Sequence, residues 1–417
     1  MADPLDAVFR REAGRCTATL IRLLGDVDLA EEAVAEAFAI AAAQWPERGV
    51  PPNPGGWITT TARNRAIDRL RRESTRMDRH RAAVGLRTDA MEPDDNPALH
   101  DLDALIDVVV DDQLRLMFLC CHPALSTDAQ VALTLRLLGG LQSAEIAAAF
   151  LVPEATMAQR IVRAKRKLRD NHVSYRIPRA AELPDRVEAV LAAIYLVYTE
   201  GHTATSGPSL TRVDLSSEAI RLGRVLVGLM PDEPEAAGLL ALMVLTEARR
   251  PARTGADGSM VSLADQDRAR WDRSLIDEGH RLVRACLRRN QPGPFQIQAA
   301  IAAVHADAPT AAATDWAQIV ALYDQLHAVR PNAVVALNRA VAIAEASGPD
   351  AALAALAGLD AELPAGYQPY HAVRAVLLAR AGRHADALAA YDRAIELTAN
   401  PAERAFLRRR RAARAGT

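Results

Sequence analysis

Six basic side chains crowd the second half of "ATMAQRIVRAKRKLRD", residues 155–170: Arg160, Arg163, Lys165, Arg166, Lys167 and Arg169. Guanidinium and ammonium groups at that density suit phosphate oxygens. A second basic stretch, "WITTTARNRAIDRLRRESTR" (57–76), sets Asn64 and Asp68 among arginines. An asparagine amide can read a base edge that a charge alone cannot. Between them in character lies "DLAEEAVAEAFAI" (28–40), where the charge reverses. Glu32 and Glu36 stand four residues apart with no basic partner on their own helix. That arrangement costs a few tenths of a kcal/mol, which a partner surface would offset. For all three stretches the competing reading is an ordinary solvated helix face.

Helices must position these groups. Met157, Ile161, Ala164 and Leu168 recur at helical spacing and form a buried stripe, which turns Thr156, Gln159, Arg160, Arg163 and Lys167 outward. Upstream, "SAEIAAAFLVPEA" supplies a short helix from Ser143 and then a tight turn, with Pro153 near the start of the next helix. Helix, turn and basic second helix form a helix-turn-helix, whose second helix enters the DNA major groove. In the other basic stretch, Ile58, Ala62, Ala66 and Leu70 make the core stripe. Asn64, Arg65, Asp68, Arg71 and Arg72 share a polar arc, with Arg63 nearer the apolar side. Asp28, with Glu31 three residues on, reads as a capping box. "WPERGVPPNPGGW" (45–57) reads as a loop, and the acidic run 87–103 as a flexible linker.

The chain of 417 residues is half apolar but only 4% aromatic, which favours an all-α protein of two or three domains. A net charge of −2 excludes a free-standing polycation. Nucleic-acid contact must be local or delivered by a larger partner. Four scattered cysteines exclude a disulfide framework and fit a reducing compartment. Adjacent Cys120 and Cys121 suit core packing better than a zinc site. Neither a leader nor a membrane span is visible, so a cytoplasmic, soluble protein is expected.

The last hundred residues repeat. Tyr323-Asp324 and Tyr391-Asp392 are separated by two periods of about 34 residues, with Leu356 between them and Pro331 or Pro401 closing a unit. Ala387, Tyr391 and Ala394 alternate small, large and small, as helix-pair packing wants. Residues 301–417 are therefore read as a tetratricopeptide-like (TPR) solenoid, preceded by a helical extension over 180–300. In that extension Tyr198, Glu200, His202, Asp257, Asp267, Arg268 and Trp271 suggest a pocket. Fold-stabilising contacts, a ligand-sensing site and catalysis all remain open for them, in that order.

Residues 5–172 resemble bacterial sigma factors of the extracytoplasmic-function (ECF) type. The run W-x-x-x-x-A-R-N-x-A-I-D-R-L-R-R and the downstream helix-turn-helix carry the resemblance. It implies a region-two domain over 5–75, a linker over 76–103 and a region-four domain over 104–172. It also implies binding to core RNA polymerase, at the β′ clamp and β flap, and to promoter DNA. Asp28, Glu31, Glu32 and Glu36 would face polymerase. Arg63, Asn64, Arg65, Asp68, Arg69, Arg71 and Arg72 would form the minus-ten surface. Thr156, Gln159, Arg160, Arg163 and Lys167 would meet the minus-thirty-five groove, and Asn53, in the proline-rich loop, a flipped-out base. Residues 180–417 resemble the TPR-bearing extension of one ECF subgroup, which implies regulation or interaction, with a protein partner or with the chain itself. The expected function is an alternative sigma factor, with no catalytic residue, cofactor or metal. Its rivals are a scaffold that no longer initiates transcription and a small-molecule-sensing or enzymatic C-terminal domain.

Overall fold

The computed structural model describes residues 4–84, 112–150, 152–203, 211–255, 259–363, 366–398 and 400–415. Among them the fold is all-α; the extended pairing is one isolated bridge between Thr254 and Met260. The chain divides into two compact units, 1–193 and 194–417, with the division inside one helix.

The first unit opens with α1 (Pro4–Leu24), α2 (Val27–Arg48) and α3 (Pro54–Val84), which pack on one another. Alanines at Ala30, Ala33, Ala37 and Ala41 let α2 approach closely, while Phe38 fills the space against Phe9 at 4.7 Å between ring centroids. Two helix ends depart from expectation. The N-cap of α2 is Asp26, whose carboxylate accepts from the Leu29 amide at 2.9 Å; Asp28 sits in the first turn. The expected loop over 45–57 shrinks to 49–53, because α2 continues through Pro46 to Arg48 and α3 begins at Pro54. Pro46 forfeits one ladder bond only in the last turns. Buried Trp45 anchors those turns against Trp57 at 5.4 Å, and Gly49 closes the end from φ 78°, a left-handed value that suits glycine. Asn53 accepts from the Gly56 amide at 3.0 Å and so caps α3.

Helix α3 also runs beyond the expected boundary at residue 76; the remainder of the linker, 85–103, lies outside the described residues, as does 104–111. Ile58, Ala62 and Ala66 are buried as the stripe requires, but Leu70 is 44% exposed, because a strict step of four drifts round a helix of about 3.6 residues per turn.

After these come α4 (112–120), α5 (Thr127–Leu133) with a π-turn over Thr134–Leu138, α6 (Ser143–Ala149), and α7 (Glu154–Asp170). α6 and α7 are the expected helix-turn-helix pair. A capping box between Gln142 and Glu145 starts α6, and Pro153 occupies the N-cap of α7. Met157, Ile161, Ala164 and Leu168 are each at most 4% exposed. Cys120 and Cys121 lie buried in this core, where desolvation raises both thiols and holds Cys121 at about 11.

Polar contacts join the two halves of this unit. Asp112 has a fully buried carboxylate, taken by Arg22 and Arg115 at 2.9 Å each. Tyr175 lies with its hydroxyl between the carbonyl oxygens of Ala18 (2.9 Å) and Asp112 (2.8 Å). Gly14 lies so close to the Leu138 carbonyl that a side chain there would clash.

The division falls in α8 (Leu183–His202). The second unit continues with α9 (Val213–Leu229), α10 (Pro234–Glu247), α11 (Arg273–Arg289), α12 (Pro294–Asp307), α13 (Trp316–Val329), α14 (Ala333–Ser347), α15 (Pro349–Ala355), α16 (Gln368–Arg380), α17 (His384–Leu397) and α18 (Pro401–Ala415). Helix α10 is apolar on every side and packs against α9, α11 and α12. The loop expected over 249–266 carries two short 3-10 turns, at Arg250–Ala252 and Leu263–Asp265. Ala387, Tyr391 and Ala394 are all buried against Ala375, Leu378 and Ala379 of α16. At the position expected for the intermediate repeat, buried Leu356 caps a helix of only seven residues.

Two imidazoles here make stability fall in acid. Burial, then repulsion from Arg253 and Arg249, holds His202 down to about 2; burial and the charges of Arg249 and Arg268 hold His305 to about 4. Both are neutral when folded, whereas the unfolded chain takes up these protons near pH 6.5. Their contribution is therefore complete above pH 6.5. It is lost as pH falls, at about 1.4 kcal/mol per pH unit for each imidazole. A lower urea midpoint at pH 5 than at pH 7, with a smaller difference in His305→Asn, is the expected result. Equal pH dependence in the variant would contradict it.

Candidate nucleic-acid interface

Helix α7 presents three faces. Its apolar stripe points into the core. Its outward arc carries Thr156, Gln159, Arg163 and Lys167, all exposed, with Arg160 half-buried beside them. Arg160 pairs with Asp128 of α5 at 3.3 Å, but Asp128 is 73% exposed, so the pair is weak and yields readily. The third face was not anticipated. Lys165 and Arg169 turn toward α2, where Lys165 contacts Asp28 at 2.9 Å and Glu31 at 2.5 Å, and Arg169 contacts Asp28 at 3.4 Å.

Glu31 is the centre of this cluster. One carboxylate oxygen takes Arg136 from the π-turn and the other takes Lys165, all three side chains being largely withdrawn from water. Burial alone would lower the Lys165 ammonium, but the Glu31 and Asp28 carboxylates outweigh it and raise its pKa. Lysine thus stays charged at neutral pH, and its contribution is lost only as pH climbs past the ordinary lysine value.

On α3, Asn64, Arg65, Asp68, Arg71 and Arg72 are exposed and share the expected arc, while Arg63 and Arg69 are half-buried. Arg72 leans back to donate to the Asp68 carbonyl at 3.1 Å. Arg69 reaches α2 and pairs with Glu32 at 2.5 Å, so Glu32 has the basic partner its own helix lacks. Of the four acids assigned to α2's outer surface, three are engaged within the unit. Glu36 is exposed and makes no ion pair among the described residues. The α7–α2 pairing joins side chains 134 or more positions apart, which no local periodicity encodes.

No group of three or more His, Cys, Asp or Glu side chains among the described residues is arranged to hold a metal ion. None of the described helices is long and apolar enough to cross a membrane.

Comparison with known proteins aligns with this geometry. Residues 8–76 match the family model for sigma-70 region 2, residues 115–168 that for sigma-70 region 4, and residues 186–287 a family of unknown function, DUF6596. An uncharacterised protein, R00370, of Rhizobium meliloti (strain 1021) is 43% identical over 398 residues, which cover 93% of this chain and 90% of the relative. A protein described as probable ECF RNA polymerase sigma factor SigI, from Mycobacterium tuberculosis (strain CDC 1551 / Oshkosh), is 26% identical over 179 residues. That alignment spans 41% of this chain and 57% of the relative. No solved structure gives a significant match.

Proposed function

Because this chain belongs to the sigma-70 family, in one full-length family with R00370, we propose that it is an alternative, ECF-type sigma factor. It binds core RNA polymerase, recognises two promoter elements and assists their opening, with no chemistry of its own. The observation that carries this reading is the exposed recognition arc of α7 in the same compact unit as the exposed Asn64-Arg65-Arg71-Arg72 arc of α3. Each arc combines cations for phosphates with an amide for base edges, Gln159 on α7 and Asn64 on α3. The modest charge of the whole chain fits a protein that meets DNA inside a larger complex.

The ion pairs around Glu31 add a second part. In the free protein, Asp28 and Glu31 are held by α7 and the π-turn, so the acidic face of α2 is partly occupied. Polymerase competes for these carboxylates and releases α7 to reach its DNA element. The second unit, TPR-like in its last helix pairs, serves as a regulatory or interaction platform.

Glu36 tests polymerase binding cleanly, since its replacement breaks no internal pair. Glu36→Arg is expected to weaken binding to core polymerase at least tenfold while leaving the thermal stability unchanged. Unaltered affinity would remove α2 from the polymerase interface.

A further inference from the structure

We propose that a cavity between the end of α15 and one face of α16 binds a small zwitterion with an apolar body, an α-amino acid such as leucine or phenylalanine. The cavity holds about 310 Å³, at the lower end of the range for small-molecule sites. One side of it is made where α15 stops at Ala355. There the chain passes through Gly358 at φ 81°, a left-handed value that glycine takes without strain, into a 3-10 turn over Leu359–Ala361. Tyr370, His371, Arg374 and Leu378 form the opposite side, spaced along one face of α16. Arg383, the N-cap of α17, completes the wall.

The lining divides into an apolar floor and a charged mouth. Two buried clusters, one holding Leu356 and Tyr370 and the other Leu378, meet at Leu353, which packs against both. Asp360, Arg374 and Arg383 are exposed and bring charges of both signs to the same cavity. Arg383 donates to one oxygen of Asp386 at 3.0 and 2.7 Å, which fixes its guanidinium at the wall. With Asp386 counted, guanidinium and carboxylate charges balance. His371 adds none, because burial and the charges of Arg393 and Arg374 outweigh Asp360 and hold its imidazole below the usual value. Burial, then Asp360, raises the Tyr370 hydroxyl, which therefore stays protonated and able to donate.

A ligand with a net charge gains little from a balanced mouth, whereas one with separated charges meets a counter-ion for each. An α-amino acid has that form at neutral pH. Its carboxylate matches the planar fork of Arg374, and its ammonium pairs with Asp360. Its side chain covers the leucines and the Tyr370 ring and withdraws their apolar surface from water. A phosphate or dicarboxylate would set a second negative charge against Asp360. A simple amine would place its positive charge among the guanidiniums. The site lies wholly within the second unit, so its test does not depend on transcription.

The test uses the full chain and ligand-observed saturation-transfer NMR at neutral pH. L-leucine and L-phenylalanine are titrated, each beside the analogue that lacks its amino group and the analogue that lacks its carboxyl group. At least one of the two amino acids is expected to bind saturably, with both of its analogues roughly tenfold weaker, since each forfeits a charged contact. Arg374→Gln and Asp360→Asn are each expected to weaken the amino acid by a similar factor. Asp360→Asn should spare the deaminated analogue and Arg374→Gln the decarboxylated one, a pattern that damage to the fold does not give. Absence of saturable binding by both amino acids, or analogues that bind as well as their parent, would overturn the proposal. So would undiminished amino-acid binding to either variant, or a variant that loses the amino acid and both analogues together.

Discussion

Lys165→Glu is expected to detach α7 from α2 and to expose the acidic face of α2. The substitution places a carboxylate beside Asp28 and Glu31, where the parent has an ammonium only 11% exposed. Removing one partner of a withdrawn pair leaves the other uncompensated, and reversal adds repulsion. The stability of the first unit should fall by about 3 kcal/mol, with most of the loss in the contact to Glu31. Asp28 is half exposed and contributes little. Hydrogen exchange should accelerate at α7 and α2 together, and Lys165→Met, which keeps the alkyl stem packed, should lose less. Because Lys165 lies off the outward arc, DNA contacts survive. Affinity for core polymerase should therefore rise, by roughly tenfold if release of α7 costs about 1.4 kcal/mol in the parent. Faster exchange with unchanged polymerase affinity would separate the two claims: the contact would be real but would not compete with polymerase.

The second large effect concerns the outward arc. Arg160→Ala with Arg163→Ala should reduce promoter-directed transcription at least tenfold, since each base or phosphate contact contributes roughly 1–3 kcal/mol. Binding to core polymerase should stay intact, as should the fold. Arg163 only leans on its own helix at 3.3 Å, and Arg160 gives up one exposed pair. The comparison of transcription with polymerase binding, both measured on one preparation of the double variant, decides it. Parallel loss of both would point to damage of the fold, and loss of neither would remove α7 from promoter recognition.

What was legible in the sequence, and what was not, follows the range of the interactions. The stripes Met157-Ile161-Ala164-Leu168 and Ile58-Ala62-Ala66 depend on spacing alone, and both are buried. Leu70 obeys the same spacing but is exposed, because repeated steps of four drift round a helix of about 3.6 residues per turn and carry it off the buried face. Pro46 and the glycines near it read as a loop, yet packing of Trp45 on Trp57 carries the helix past the proline. Asp26 displaced Asp28 as the cap because one of two nearby aspartates had to begin the helix, and composition could not choose between them. The Glu31 cluster was invisible for a different reason. It is assembled from segments far apart in the chain, and each of its residues looks ordinary where it stands.

The most direct measurement is transcription by core RNA polymerase from fragmented genomic DNA, with and without the full chain, followed by sequencing of transcript ends. New start sites that share two upstream elements, and that disappear with the Arg160→Ala/Arg163→Ala variant, are the predicted result. An unchanged set of start sites, from a preparation that demonstrably binds core polymerase, would contradict the sigma-factor account.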